Sequence, residues 1–152
     1  MNYAKRLEEL NIVLPQVAAP VAAYVPAVKV NDMVYTAGQV AFVEGELKHA
    51  GRLGETLSVE EGAESARLCV LNALAAAASV AGGVNNIEKI VRLAGYVNSA
   101  NDFTDQAKVM NGASRLMLDI FGDAGRHARS AIGVNVLPLG ASVEVELIVK
   151  VS

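Results

Sequence analysis

Ser58 is followed three residues later by Glu61, and from there Leu68, Leu71, Leu74, Ala75 and Ala78 recur at helical spacing until Gly82-Gly83 stops the run. This segment constrains the chain more than any other. A helix whose packing surface is mostly Ala brings its backbone close to whatever it covers, which suits a helix lying tightly on a sheet. The rest of the chain agrees: 53% of residues are apolar but only 5% aromatic, so the core has to be built from Ala, Val, Leu and Ile at close backbone spacing.

A second helix is predicted to start near Asp102, with Val109, Ala113, Leu116, Met117, Ile120 and Phe121 on one face and Gly122 at its end. A short N-terminal helix is predicted over residues 4–10. Segments rich in β-branched residues at 27–30, 33–43, 90–98, 129–137 and 142–151 read as strands. The Pro/Gly connection Leu137-Pro138-Leu139-Gly140-Ala141 predicts that the last two form an antiparallel hairpin. The order ββαβαββ fits an α+β fold, one mixed sheet with both helices on a single face, and 152 residues make one domain, residues 1–152. In the last strand Val143, Val145, Leu147, Val149 and Val151 point one way. The opposite side mixes Ile148 with Glu144, Glu146 and Lys150, which suggests that subunits associate through that second face.

Thirteen basic against sixteen acidic residues give a net charge of -3 with no basic cluster, so nucleic acid is not the expected partner. The N-terminal residues lack the apolar run of a signal peptide, and residues 68–81, the most apolar stretch, fall short of a membrane span. A cytoplasmic protein is expected, with no membrane association. The single Cys69, one turn inside an Ala/Leu helix, forms no internal disulfide or metal cluster and is expected to be a small packed hydrophobe. No G-x-S-x-G elbow, P-loop, H-E-x-x-H or dinucleotide fingerprint is present. Of the two histidines, His49 lies in a polar segment, and His127, between Arg126 and Arg129, is expected to be a solvated loop residue.

Arg129 stands immediately before an apolar strand, where a fixed guanidinium could present two parallel donors to a carboxylate. By position alone it is a surface Arg at a strand end. Its context says more. Arg129-Ser130-Ala131-Ile132-Gly133-Val134, then Leu137-Pro138, then Val143-Glu144-Val145-Glu146, resembles the C-terminal signature of the YjgF/RidA family. Ala23-Tyr24-Val25, the segment Tyr35-Thr36-Ala37-Gly38-Gln39 and Asn101-Asp102-Phe103 resemble further family segments in the same order, so the likeness covers most of the chain.

The resemblance implies a chorismate-mutase-like sheet, a homotrimer with ligand clefts at its subunit boundaries, and cofactor-independent hydrolysis of enamine or imine intermediates derived from amino acids. It also implies roles: Arg129 binds the substrate carboxylate, Glu144 positions or polarises the attacking water, and Tyr24, Gly38, Asn111 and Ala131 line the cleft. No metal or cofactor is expected. An iminium carbon is already electrophilic, so orientation and one polar group for the water can supply much of the acceleration. The chain departs from the deaminase pattern at Ala131, where Cys is usual, at Ala37, where Ser is usual, and at His127, where Pro is usual. Two further functions stay open: a non-catalytic trimer that binds small keto acids or other carboxylates, and the ribonuclease activity attached to the family by name, against which the charge balance argues. In a hairpin centred on Leu139-Gly140, Glu144 would sit roughly 20 Å from Arg129 at about 3.3 Å per residue, so a shared substrate would need two subunits.

Overall fold

The computed structural model describes residues 1–17 and 23–152. In chain order the elements are α1 (Tyr3–Glu9), β1 (Ala27–Val30), β2 (Met33–Thr36), β3 (Phe42–Val43), β4 (Glu46–Leu47), α2 (Val59–Ala81), β5 (Ile87–Asn98), α3 (Gln106–Phe121), β6 (Ala128–Val134) and β7 (Val143–Val151).

The helix predicted from Ser58 and Glu61 is α2. The Ser58 hydroxyl accepts from the Glu61 amide while the Glu61 carboxylate accepts from the Ser58 amide and hydroxyl, and these bonds hold the Glu61 carboxyl below its ordinary range. The helix ends at Gly82, whose φ of 83° is left-handed backbone that costs a glycine little. By length and composition α2 could cross a membrane. Here it is a core helix, for Ala66, Cys69, Val70, Ala73, Leu74, Ala76 and Ala77 are completely buried. The Cys69 thiol donates to the Val143 carbonyl at 3.3 Å, and burial pushes its pKa well above the ordinary thiol range, so it is the inert packed residue expected.

Five strands form one sheet in the order β1-β2-β7-β5-β6, with every pair antiparallel except β5 and β6. Both long helices cover one face, α2 over β1, β2 and β7 and α3 over β5 and β6. The helix-bearing face is the one the alternation of β7 predicts: Val143, Val145, Leu147, Val149 and Val151 are buried. No helix covers the other face among the described residues, and Val28, Val30, Tyr35 and Ile132 are exposed there.

Three local expectations are corrected. First, β6 and β7 are not a hairpin, because β5 lies between them. The β5-α3-β6 unit is a crossover that returns β6 parallel to β5, and the connection through Pro138–Gly140 is a 3₁₀ turn in which Leu139 adopts φ 63°. Second, the strand predicted over 33–43 stops at Thr36. It resumes as an isolated bridge between Gln39 and Val145 and then as the small β3-β4 ribbon, which the Asn72 amide ties to α2 through the Val40 and Phe42 carbonyls. Third, α3 begins at Gln106 rather than near Asp102. Asn101 and Asp102 form a turn, and Asp105 occupies the cap position without a side-chain bond.

The two helices approach closely at Gly112. A Cβ there would lie 2.1 Å from the Ala63 carbonyl oxygen and 2.7 Å from its carbon, atoms of the α2 backbone that have no rotamer with which to yield. Gly112→Ala should therefore cost about 3 kcal/mol despite the better helix propensity of Ala. Thermal denaturation should register this as a drop on the order of 10 °C. A variant melting with the parent would mean that α2 and α3 separate freely.

Candidate functional site

Arg129 lies on the edge strand β6 directly across from Leu93, so its side chain leaves the sheet on the helix-bearing side, toward α3. There its Nη1 donates to Asn111 Oδ1 at 2.9 Å and to Ser114 Oγ at 3.2 Å. Those two residues stand three apart on α3 and hence on one helix face. Among the described residues no carboxylate lies within ion-pair distance of Arg129. The edge formed by Nε and Nη2 makes no hydrogen bond among the described residues, and that edge is the fork that fits a carboxylate side-on.

His127 belongs to the same cluster and is not the solvated loop residue expected. Its Nδ1 is 2.6 Å from the Gly125 carbonyl and its Nε2 is 2.9 Å from Ser114 Oγ, both in a half-buried setting. Ala131, two residues along β6 on the same face, lies across from Gly95 and packs against the core, so only its backbone can take part in polar recognition.

Glu144 is elsewhere. It stands across from Tyr96 on the helix-free face, half-buried, with Gly38 folded against it. A Cβ at Gly38 would be 2.8 Å from Glu144 Cδ and 3.1 Å from Oε1, so any side chain there would displace the Glu144 carboxyl from this position. Burial, and then the charge of neighbouring Glu146, raise the Glu144 carboxyl above its ordinary value. The Tyr96 hydroxyl donates to Glu146 at 3.2 Å, and burial together with Glu146 raises that phenol. Beside them Arg92 Nη2 donates to Ser130 Oγ at 2.8 Å. A cleft of about 210 Å³ opens on this face between Tyr35, Thr36, Arg92 and Glu146. Tyr24 is exposed just before β1. A larger groove of about 430 Å³ runs between α1 and the end of α3, away from both clusters.

The site residues expected from the sequence thus fall into two groups, Arg129 with Asn111 and Ala131, and Glu144 with Gly38. Arg129 and Glu144 are registered to Leu93 and Tyr96, three residues apart on β5, with β5 itself between their strands. They are therefore separated by roughly 10 Å along the sheet and roughly 10 Å across it, on opposite faces. Hairpin geometry is not what divides them, since there is no hairpin. Ser114, Tyr96 and Glu146 were not anticipated. The signal for Ser114 was its place three residues after Asn111, which becomes meaningful only once α3 is known to face Arg129.

Residues 4–151 match a family described as YjgF/chorismate mutase-like, which also carries an endoribonuclease label. The chain belongs to the YjgF/chorismate mutase-like family. Protein TCP17 of Trypanosoma cruzi is 39% identical over 150 residues, spanning 98% of this chain and 94% of that protein. A Shewanella oneidensis structure, provisionally assigned as an endoribonuclease, superposes with a TM-score of 0.94 at 35% identity, covering 99% of this chain and all of that one. The YjgF gene product of Escherichia coli superposes with a TM-score of 0.64 at 28% identity over 89% of this chain and 93% of its own. The mixed sheet with helices on one face is accordingly the YjgF/chorismate mutase-like fold, as the resemblance implied.

Within this YjgF-like frame the two groups offer complementary chemistry. One is a guanidinium anchored through a single nitrogen, leaving its fork for an anion. The other is a carboxyl group whose environment makes it a stronger base than a solvated Glu.

Proposed function

We propose that this YjgF/chorismate mutase-like chain is a cofactor-independent enamine/imine deaminase that works in the cytosol as a homotrimer. The observation that carries the proposal is the Arg129 guanidinium, held by Asn111 and Ser114 and paired with no carboxylate among the described residues. A positively charged fork in that state is a receptor for the carboxylate of an imino acid. Glu144 of a neighbouring subunit, with Gly38 beside it, takes a proton from water as the oxygen adds to the C=N carbon and passes it to the nitrogen, to which the C=N π electrons have moved. Collapse of the resulting carbinolamine expels ammonia and leaves the keto acid. Tyr24, Asn111 and Ala131 complete the cleft, Asn111 by fixing Arg129 and Ala131 through its backbone. Assembly is supported by the uncovered sheet face, where Val28, Val30, Tyr35 and Ile132 are 43–56% exposed.

The test is to generate 2-aminoacrylate enzymatically and follow keto-acid release with and without the protein. Faster release supports the deaminase. Saturable keto-acid binding without acceleration of any imino acid would instead assign a binding protein, and a single-chain mass by sedimentation would remove the shared cleft.

A further inference from the structure

We propose that His127, acting through Ser114, is a positioning residue that fixes which edge of the Arg129 guanidinium is offered to the ligand. This inference rests on Arg129 being the carboxylate anchor. The Gly125 carbonyl can only accept, so the 2.6 Å contact assigns the imidazole proton to Nδ1. Nε2 then carries a lone pair, and the Ser114 hydroxyl, 2.9 Å away, donates to it. With its hydrogen drawn toward His127, the Ser114 oxygen turns a lone pair to Arg129 Nη1 at 3.2 Å, beside the 2.9 Å bond from Nη1 to Asn111. The polarity runs one way, from guanidinium to hydroxyl to imidazole to carbonyl.

Its far end is rigid. Gly125 lies against the backbone of α3, where a Cβ would come within 2.2 Å of the Met117 carbonyl oxygen and 2.7 Å of its carbon. The carbonyl that holds the His127 ring is therefore set by the same helix that carries Asn111 and Ser114. Without an acceptor at Nε2 the Ser114 hydrogen would turn elsewhere, and when it faces Nη1 it opposes the N–H it should accept. Arg129 then loses one of the two bonds that reserve Nη1 for the protein and leave Nε and Nη2 for the ligand.

The experiment measures pyruvate binding by titration calorimetry on the whole protein and its variants. His127→Phe, which keeps the ring volume and removes both nitrogens, should raise Kd about tenfold. His127→Gln, whose carbonyl oxygen reaches close to the Nε2 position, should recover most of the loss. Ser114→Ala should weaken binding comparably, and the double variant His127→Phe/Ser114→Ala should be no weaker than Ser114→Ala alone, because one relay is cut once. Parental affinity in His127→Phe, a Gln variant as weak as Phe, or independent effects in the double variant would overturn the relay. Should His127→Phe fail to fold, Ser114→Ala decides: parental affinity in it overturns the relay equally. Arg129→Ala separates the two levels of inference. Retained pyruvate binding there overturns the anchor itself, whereas lost binding there with an unaffected Ser114→Ala overturns only the relay.

Discussion

Replacing Arg129 by Ala is expected to weaken binding of a small carboxylate by about 100- to 1000-fold while the chain stays folded. The magnitude follows from losing a two-point, charge-assisted contact, about 3 to 4 kcal/mol at roughly 1.4 kcal/mol per decade. The fold should survive because Arg129 is half-buried at the sheet edge and supports its neighbours only by donating to Asn111 and Ser114. Those two acceptors are only partly buried and can turn to water at a cost of about 1 kcal/mol. Arg129→Lys should recover only part of the affinity, since an ammonium keeps the charge but not the parallel fork. Binding by calorimetry and melting by circular dichroism check both halves. A variant that unfolds would reassign Arg129 to the structure.

Glu144→Gln is expected to lower imine hydrolysis by about 100- to 1000-fold, with carboxylate binding retained, because it removes the group proposed to take the proton from water. The raised carboxyl makes a second, opposite prediction for stability. Folding raises the Glu144 carboxyl above its unfolded value, since burial and then the charge of Glu146 both disfavour its ionised form. Its contribution to stability is therefore fully present below the ordinary carboxyl value of 4.5 and is lost as pH rises through the higher folded value. At neutral pH the Gln variant should melt above the parent, and the gap should close in acid. In the parent, activity should rise with pH along a limb displaced above the ordinary carboxyl value, and the variant should lack that limb. Gain in stability together with loss of rate is the mark of a group held in an unfavourable state for function. A Gln variant that is both slower and less stable would count against that role.

How much of this could be read from residues alone varied with how local the determining physics is. The helix α2 was legible because its start is a reciprocal pair of hydrogen bonds between Ser58 and Glu61 and its stop is a left-handed Gly82, all within the segment itself. β7 was legible because one residue in two meets the helices. The partner of β6 was not. Leu137 to Ala141 has the composition of a tight turn, but the choice between pairing with β7 and crossing over to lie parallel to β5 is made by α3 packing on the sheet, which no turn residue records. The break after Thr36 was hidden for a related reason, since the Leu147 amide donates to the Thr36 hydroxyl and the pairing resumes only at Gln39 with Val145, on a strand more than a hundred residues away. Arg129 and Glu144 were singled out by resemblance. His127 was misjudged because its partners are the Gly125 carbonyl and the Ser114 hydroxyl of another element.

The placement of Arg129 and Glu144 on opposite faces of one sheet has a genetic consequence. Two proteins that are each inactive, one carrying Arg129→Ala and the other Glu144→Gln, should restore one another when they are unfolded and refolded together or expressed in the same cell. With random mixing, about a quarter of the boundaries would join an intact Arg129 from one parent to an intact Glu144 from the other. Neither protein could do this if one chain built the whole centre, so the recovered fraction would count the chains from which each centre is made.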